Sequence, residues 1–112
     1  MNRARASKAR IVLVTCSGRQ QARRIAKVVV GARLAACVNV ILAPVESVYR
    51  WQGKVENAKE CLLVMKTTGG RLGALQKEVL RLHTYEVPEF LVLDVTGGSS
   101  NYLRWLHKSV YK

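Results

Sequence analysis

The stretch LHTYEVPEF, residues 82–90, sets one histidine, one tyrosine and two glutamates within seven positions around a proline. His83 is one of only two histidines in the chain, and Glu86 and Glu89 are two of seven acidic residues. Groups of these types serve acid–base chemistry or metal ligation, or they make a polar turn. Three cysteines, Cys16, Cys37 and Cys61, lie 21 and 24 residues apart. That spacing fits neither a disulfide framework nor a CxxC zinc knuckle, so each reads first as a buried, reduced thiol. The parts of an enzyme are missing. There is no GxSxG elbow, no P-loop and no HExxH, and the single aspartate, Asp94, falls inside a strand pattern. No catalysed reaction is expected and no cofactor is required.

The elements that must position these residues belong to one domain, because 112 residues build one ordinary core. No apolar run approaches the roughly 20 residues that cross a bilayer. The opening MNRARASKAR is basic and lacks an apolar block. It reads as a flexible tail over residues 1–10, ahead of a domain over 11–112, and a cytoplasmic location is the expectation. Nineteen basic residues against seven acidic ones give a net charge of +12. An anionic partner gains weight from that excess, although Arg19, Arg23, Arg24, Lys27 and Arg33 read as the solvated face of one helix.

IVLVTC (11–16) predicts a strand buried on both faces. Ser17 with Gln20 has the spacing of a capping box, and Ala22, Ile25, Ala26, Val29 and Val30 repeat as one helical stripe. A second strand is expected from Ala36 to Trp51, with a bulge or bend at Pro44. Gln52-Gly53 turns the chain into a third strand from Lys54. Leu72, Leu75, Val79 and Leu82 predict a second helix, FLVLDVT a fourth strand, and Ser99 or Ser100 the cap of a last helix carrying Tyr102, Leu103, Leu106 and Val110. The order βαββαβ plus a terminal helix is the α+β, ferredoxin-like split βαβ arrangement, an antiparallel sheet with helices on one face.

Strand length carries a further consequence. Strands two and three would span roughly 45–50 Å, while the first helix covers about 22 Å. Half of the hairpin must project, exposing Val45, Val48, Tyr49 and Trp51 unless other copies of the chain bury them.

The motifs RLAACVN (33–39), YRWQGKVE (49–56), KTT (66–68), HTYEVPE (83–89) and YLRWL (102–106), in this order, resemble the CutA family of divalent-cation tolerance proteins. The resemblance runs from Ile11 to about Val110. It implies a homotrimer whose hairpins reach into neighbouring subunits, with Tyr49, Trp51, Tyr85 and Pro88 at the interface. It also implies tolerance of copper and other divalent metals, and a likeness to PII-type signalling trimers, which bind nucleotides between subunits.

Copper-binding relatives pair a first-strand cysteine with two adjacent histidines. Here Val14 and Leu82 occupy two of those places and only His83 is retained, with Thr84 where a proline is usual. Cys16 is displaced two residues along the strand. The residue types therefore nominate Cys37, His83, Glu86 and Glu89 as a metal set, since thiolate suits Cu(I) and imidazole Cu(II). Three functions follow: a copper-responsive trimer, a PII-like sensor of an anionic metabolite in intersubunit clefts, and a nucleic-acid module. The last is weakest, because ECLLVMK lacks the stacking aromatics of an RNA-recognition strand and leaves only salt-labile binding.

Overall fold

The computed structural model describes residues 8–111. In chain order its elements are β1 (Ala9–Cys16), α1 (Arg19–Gly31), β2 (Cys37–Trp51), β3 (Lys54–Thr68), a short 3-10 turn (Gly69–Arg71), α2 (Leu72–Leu82), β4 (Leu91–Asp94) and α3 (Ser100–Val110). The sheet order is β2-β3-β1-β4 with every pair antiparallel. This is the split βαβ arrangement.

Alternation along β1 sorts the sheet into two faces. Val12, Val14 and Cys16 point into the main core with Leu63 and Met65 of β3. Over them lie α1, through Ala22, Ile25 and Val29, and α2, through Leu75, Val79 and Leu82. The other face carries Ile11, Leu13 and Thr15. One helix departs from expectation, since α3 lies against this second face instead of joining α1 and α2. Tyr102 of α3 approaches Cys37 and Lys66, and Tyr111 bonds Thr68, all at one end of the sheet. Leu106 and Val110 pack there with Ala36 and Ala9 as a separate small core. Tyr102 is accordingly exposed on one side and not part of a buried stripe.

Several boundaries moved for identifiable reasons. β1 begins at Ala9, because Arg10 is buried and its guanidinium meets Asp94 of β4 at 3.1 Å. The basic tail therefore yields its last two residues to the sheet, and residues 1–7 lie outside the described residues. The capping box at Ser17 does not form: Gly18 is the N-cap of α1 and no side chain caps it. Val30 is exposed. The helix still ends at Gly31, but the left-handed position is Arg33, at φ 59°. There Arg33 N–H bonds Val30 O at 3.0 Å and Leu34 N–H bonds Val29 O at 2.9 Å, closing a Schellman-type end without its usual glycine. Ser99 does cap α3, accepting from Tyr102 N–H at 3.2 Å.

The β2–β3 hairpin is long and bent. Gln52 and Gly53 both have positive φ, 49° and 81°, the signature of a two-residue hairpin turn matched to strand twist. Beside Pro44 the pairing shifts, from Ile41 opposite Leu62 to Val45 opposite Glu60. Beyond this bulge the hairpin leaves the helices behind: Val48 and Val55 are about two-thirds exposed, at 67% and 68%. The overhang expected from strand length is present, and the described chain measures 43 × 26 × 25 Å.

Candidate functional site

The LHTYEVPEF corner joins α2 to β4 and wraps the end of β1. Its anchor is His83, 9% exposed, which serves as the C-cap of α2. The Tyr85 N–H donates to His83 Nδ1 at 3.1 Å, so the ring proton sits on Nε2, which donates to the carbonyl of Thr15 at 2.7 Å. Both ring nitrogens are thereby engaged. Gln21 of α1 adds an exposed bond to Thr84 Oγ1 at 3.0 Å. The His83 and Tyr85 rings lie 4.6 Å apart between centroids.

Tyr85 carries the corner onto β3. Its hydroxyl donates to Glu60 at 2.7 Å, and Glu60 is only 7% exposed. Burial, then the hydrogen bond to Glu60, pushes the phenol well above its ordinary range, so Tyr85 acts as a fixed donor. Glu89 comes in from the corner's other end. Burial, with Glu60 nearby, raises its carboxyl above the usual glutamate value. Around these groups opens a cleft of about 570 Å³, lined by Glu60, Glu86 and Glu89 together with Tyr49 and Trp51 of the hairpin.

A carboxyl with a raised folded-state pKa holds its proton more tightly when folded. Stability is therefore lost as pH rises from the ordinary glutamate value through the raised one. Glu89→Gln removes that loss. The variant should melt above the parent at pH 7, and the difference should vanish below about pH 4, where both side chains are uncharged. Thermal melts from pH 3 to 8 that superimpose throughout would show that Glu89 carries no such burden.

The four nominated metal residues do not come together. Glu86 and Glu89 line the cleft, and His83 stands behind Tyr85 with its nitrogens occupied. Cys37 is opposite Lys66, the β3 residue that also faces Ile11, whereas His83 meets β1 at Thr15. Four residues of strand, about 13 Å, separate those levels. Cys37 instead lies 3.8 Å from the Tyr102 hydroxyl. Among the described residues no three histidine, cysteine or carboxylate side chains are gathered to hold a metal. Cys16 is fully buried, its thiol pushed up to about 11 by burial and then by Cys61 opposite.

Sequence reasoning missed Glu60. Its signal was phase: it alternates with the buried run Cys61, Leu63, Met65, so it had to face the other side of the sheet. That side is also where Thr15 and Tyr49 point, and where a tyrosine from the corner could reach it.

Comparison with known proteins identifies the family and the fold. A family model described as CutA1 divalent ion tolerance protein matches residues 10–109. The chain belongs to this CutA1 family. Among its CutA relatives, the divalent-cation tolerance protein of Thermus thermophilus is 43% identical over 99 residues, covering 88% of this chain and 95% of that one. The chloroplastic CutA of Arabidopsis thaliana is also 43% identical over 99 residues, but the match covers only 54% of it. The chain thus spans about half the length of that plant relative. The crystal structure of CutA1 from Oryza sativa superposes with a TM-score of 0.89 at 39% identity, covering 94% of this chain and 95% of that one. Membership in a CutA family of α+β, split βαβ proteins is therefore a property of the whole described domain. Among the described residues no helix is long and apolar enough to cross a membrane.

Proposed function

We propose that this chain works as a non-enzymatic, homotrimeric divalent-cation tolerance protein, binding a divalent ion such as copper at the Glu60–Glu89 cleft. One observation carries the reading. In a chain of net charge +12, three of the seven acidic residues line a single cleft, and among the described residues no lysine or arginine lines it. Grouped carboxylates on so basic a chain favour a cation. The same sign argues against the anionic metabolite of a PII-like sensor. With Glu60 bonded to Tyr85 and fewer than three donors gathered, the ion keeps waters or takes donors from a neighbouring copy.

The trimer is supported by what one chain leaves uncovered. Leu91 and Ile41, on opposite edges of the sheet, are 57% and 38% exposed on the face that α3 only partly covers. Tyr49 and Trp51 are exposed on the projecting hairpin at the mouth of the cleft, and Tyr85 and Pro88 are half-buried beside it. A neighbouring hairpin is the economical cover for all of them. Three free thiols suit a reducing compartment, which favours the cytoplasm as its location.

Calorimetric titration of the intact protein with Cu(II), and with Mn(II) as an oxygen-preferring comparison, tests the cleft. Glu60→Gln combined with Glu89→Gln should weaken Cu(II) at least tenfold, while Cys37→Ala leaves it unchanged. Affinity that survives the double substitution would remove the carboxylates from the reading. Loss on Cys37→Ala alone would move the site to the other end of the sheet.

A further inference from the structure

The end of β1 holds a second group of donors that the cleft does not use. Cys16 and Cys61 are directly opposed across the β1–β3 ladder. Both follow the inward phase of Val14 and Leu63, so their side chains share the core face. Cys16 is 0% exposed and Cys61 4%, and both are free thiols. Directly opposed antiparallel residues hold their Cβ atoms about 4.5–5.5 Å apart, which lets one ion bridge two sulfurs.

The surroundings restrict what that ion is. No third histidine, cysteine or carboxylate joins the pair among the described residues. The nearest carboxylate along the chain, Glu60, projects to the opposite face, and the His83 ring nitrogens are engaged with Thr15 and Tyr85. Zinc takes four ligands in a closed site and finds two here. Thiolates select soft ions, and a d10 monovalent ion is satisfied by two of them.

We propose that Cys16 and Cys61 form a two-sulfur site for a soft monovalent d10 cation, with Cu(I) as its representative. Loading forms two S–Cu bonds and breaks two S–H bonds. One Cu(I) enters, two protons leave to solvent, and neither copper nor sulfur changes oxidation state. Entry requires local opening at the end of β1, where Cys16 is the last strand residue and the neighbouring corner is fastened by the His83–Thr15, Tyr85–Glu60 and Gln21–Thr84 bonds. The site stands apart from the carboxylate cleft. The same stretch of β1 and β3 presents hard donors on one face and soft donors on the other.

The test is an anaerobic titration of the full chain with Cu(I) against a chromophoric competitor. One Cu(I) per chain is expected, weakened at least a hundredfold in Cys16→Ser and in Cys61→Ser and within threefold of the parent in Cys37→Ser. The Glu60→Gln, Glu89→Gln variant should bind Cu(I) as the parent does, so failure of the cleft reading leaves this result intact. X-ray absorption on the loaded parent should show two sulfur neighbours and no nitrogen, a readout that stands even if a serine variant does not fold. Binding that persists in both serine variants, binding lost in Cys37→Ser, or a nitrogen or oxygen first shell would each overturn the assignment.

Discussion

His83→Ala is expected to cost about 3 kcal/mol of unfolding free energy, measured by urea denaturation at one fixed protein concentration. Two hydrogen bonds vanish with the ring, each worth about 1 kcal/mol. The Thr15 carbonyl and the Tyr85 N–H both lose their partner, and a buried imidazole leaves a cavity behind it. His83→Phe separates these causes, since it refills the volume and restores neither bond. A phenylalanine variant nearly as unstable as the alanine one assigns the loss to hydrogen bonding. A loss below about 1 kcal/mol in His83→Ala would mean that Tyr85–Glu60 and Gln21–Thr84 hold the corner without it. The residue that most invited a metal-ligand reading is in this structure a bracket between a helix end and a strand end.

Leu91→Arg should abolish the proposed homotrimer while leaving the fold of each chain in place. Leu91 is paired with Leu13 on the incompletely covered face and is 57% exposed, so a single chain solvates the new guanidinium at little cost. Burying that charge against a neighbour without a partner costs several kcal/mol, and each 1.4 kcal/mol is tenfold in association. Sedimentation velocity at micromolar concentration should then give the mass of one chain, with the far-ultraviolet spectrum of the parent. A variant that sediments with the parent would show that this face is not where copies meet.

The legible parts of the fold were those governed by period and punctuation. The stripe Ala22, Ile25, Ala26, Val29 announced α1, and Pro44 announced the bulge, because each effect is local. What escaped depended on partners distant in sequence. Arg10 looked like tail until Asp94 supplied its counter-charge from β4. The side of the sheet taken by α3 is decided by Ala36, Ala9 and Tyr111, none of which belongs to its own stripe. Ser17 satisfied a capping pattern, yet Gly18 took the position. At the site, Glu86 and Glu89 line the cleft with Tyr85, while Cys37 and His83 were grouped with them by chemical type although the sheet separates the two. Glu60 was passed over because a lone glutamate in an apolar strand announces nothing until its phase is read.

Across the Pro44 bulge β2 advances four residues while β3 advances two. The surplus is an even number, and that parity has a consequence for how the hairpin can change length. An even surplus returns the strand to the same side-to-side phase, which is why Val45 still points with Ile41 and why Tyr49 and Trp51 reach the cleft mouth. Removing one residue, Ala43 for instance, with no one-residue bulge to absorb the change, would send both aromatics to the far side and bring Val48 and Arg50 in their place. Removing Ala43 and Pro44 together would straighten the strand and keep the aromatics where they are. Natural insertions and deletions in this segment should therefore come in pairs, and a relative that differs by a single residue here should either hold its phase with a one-residue bulge or carry its aromatics one position out of step.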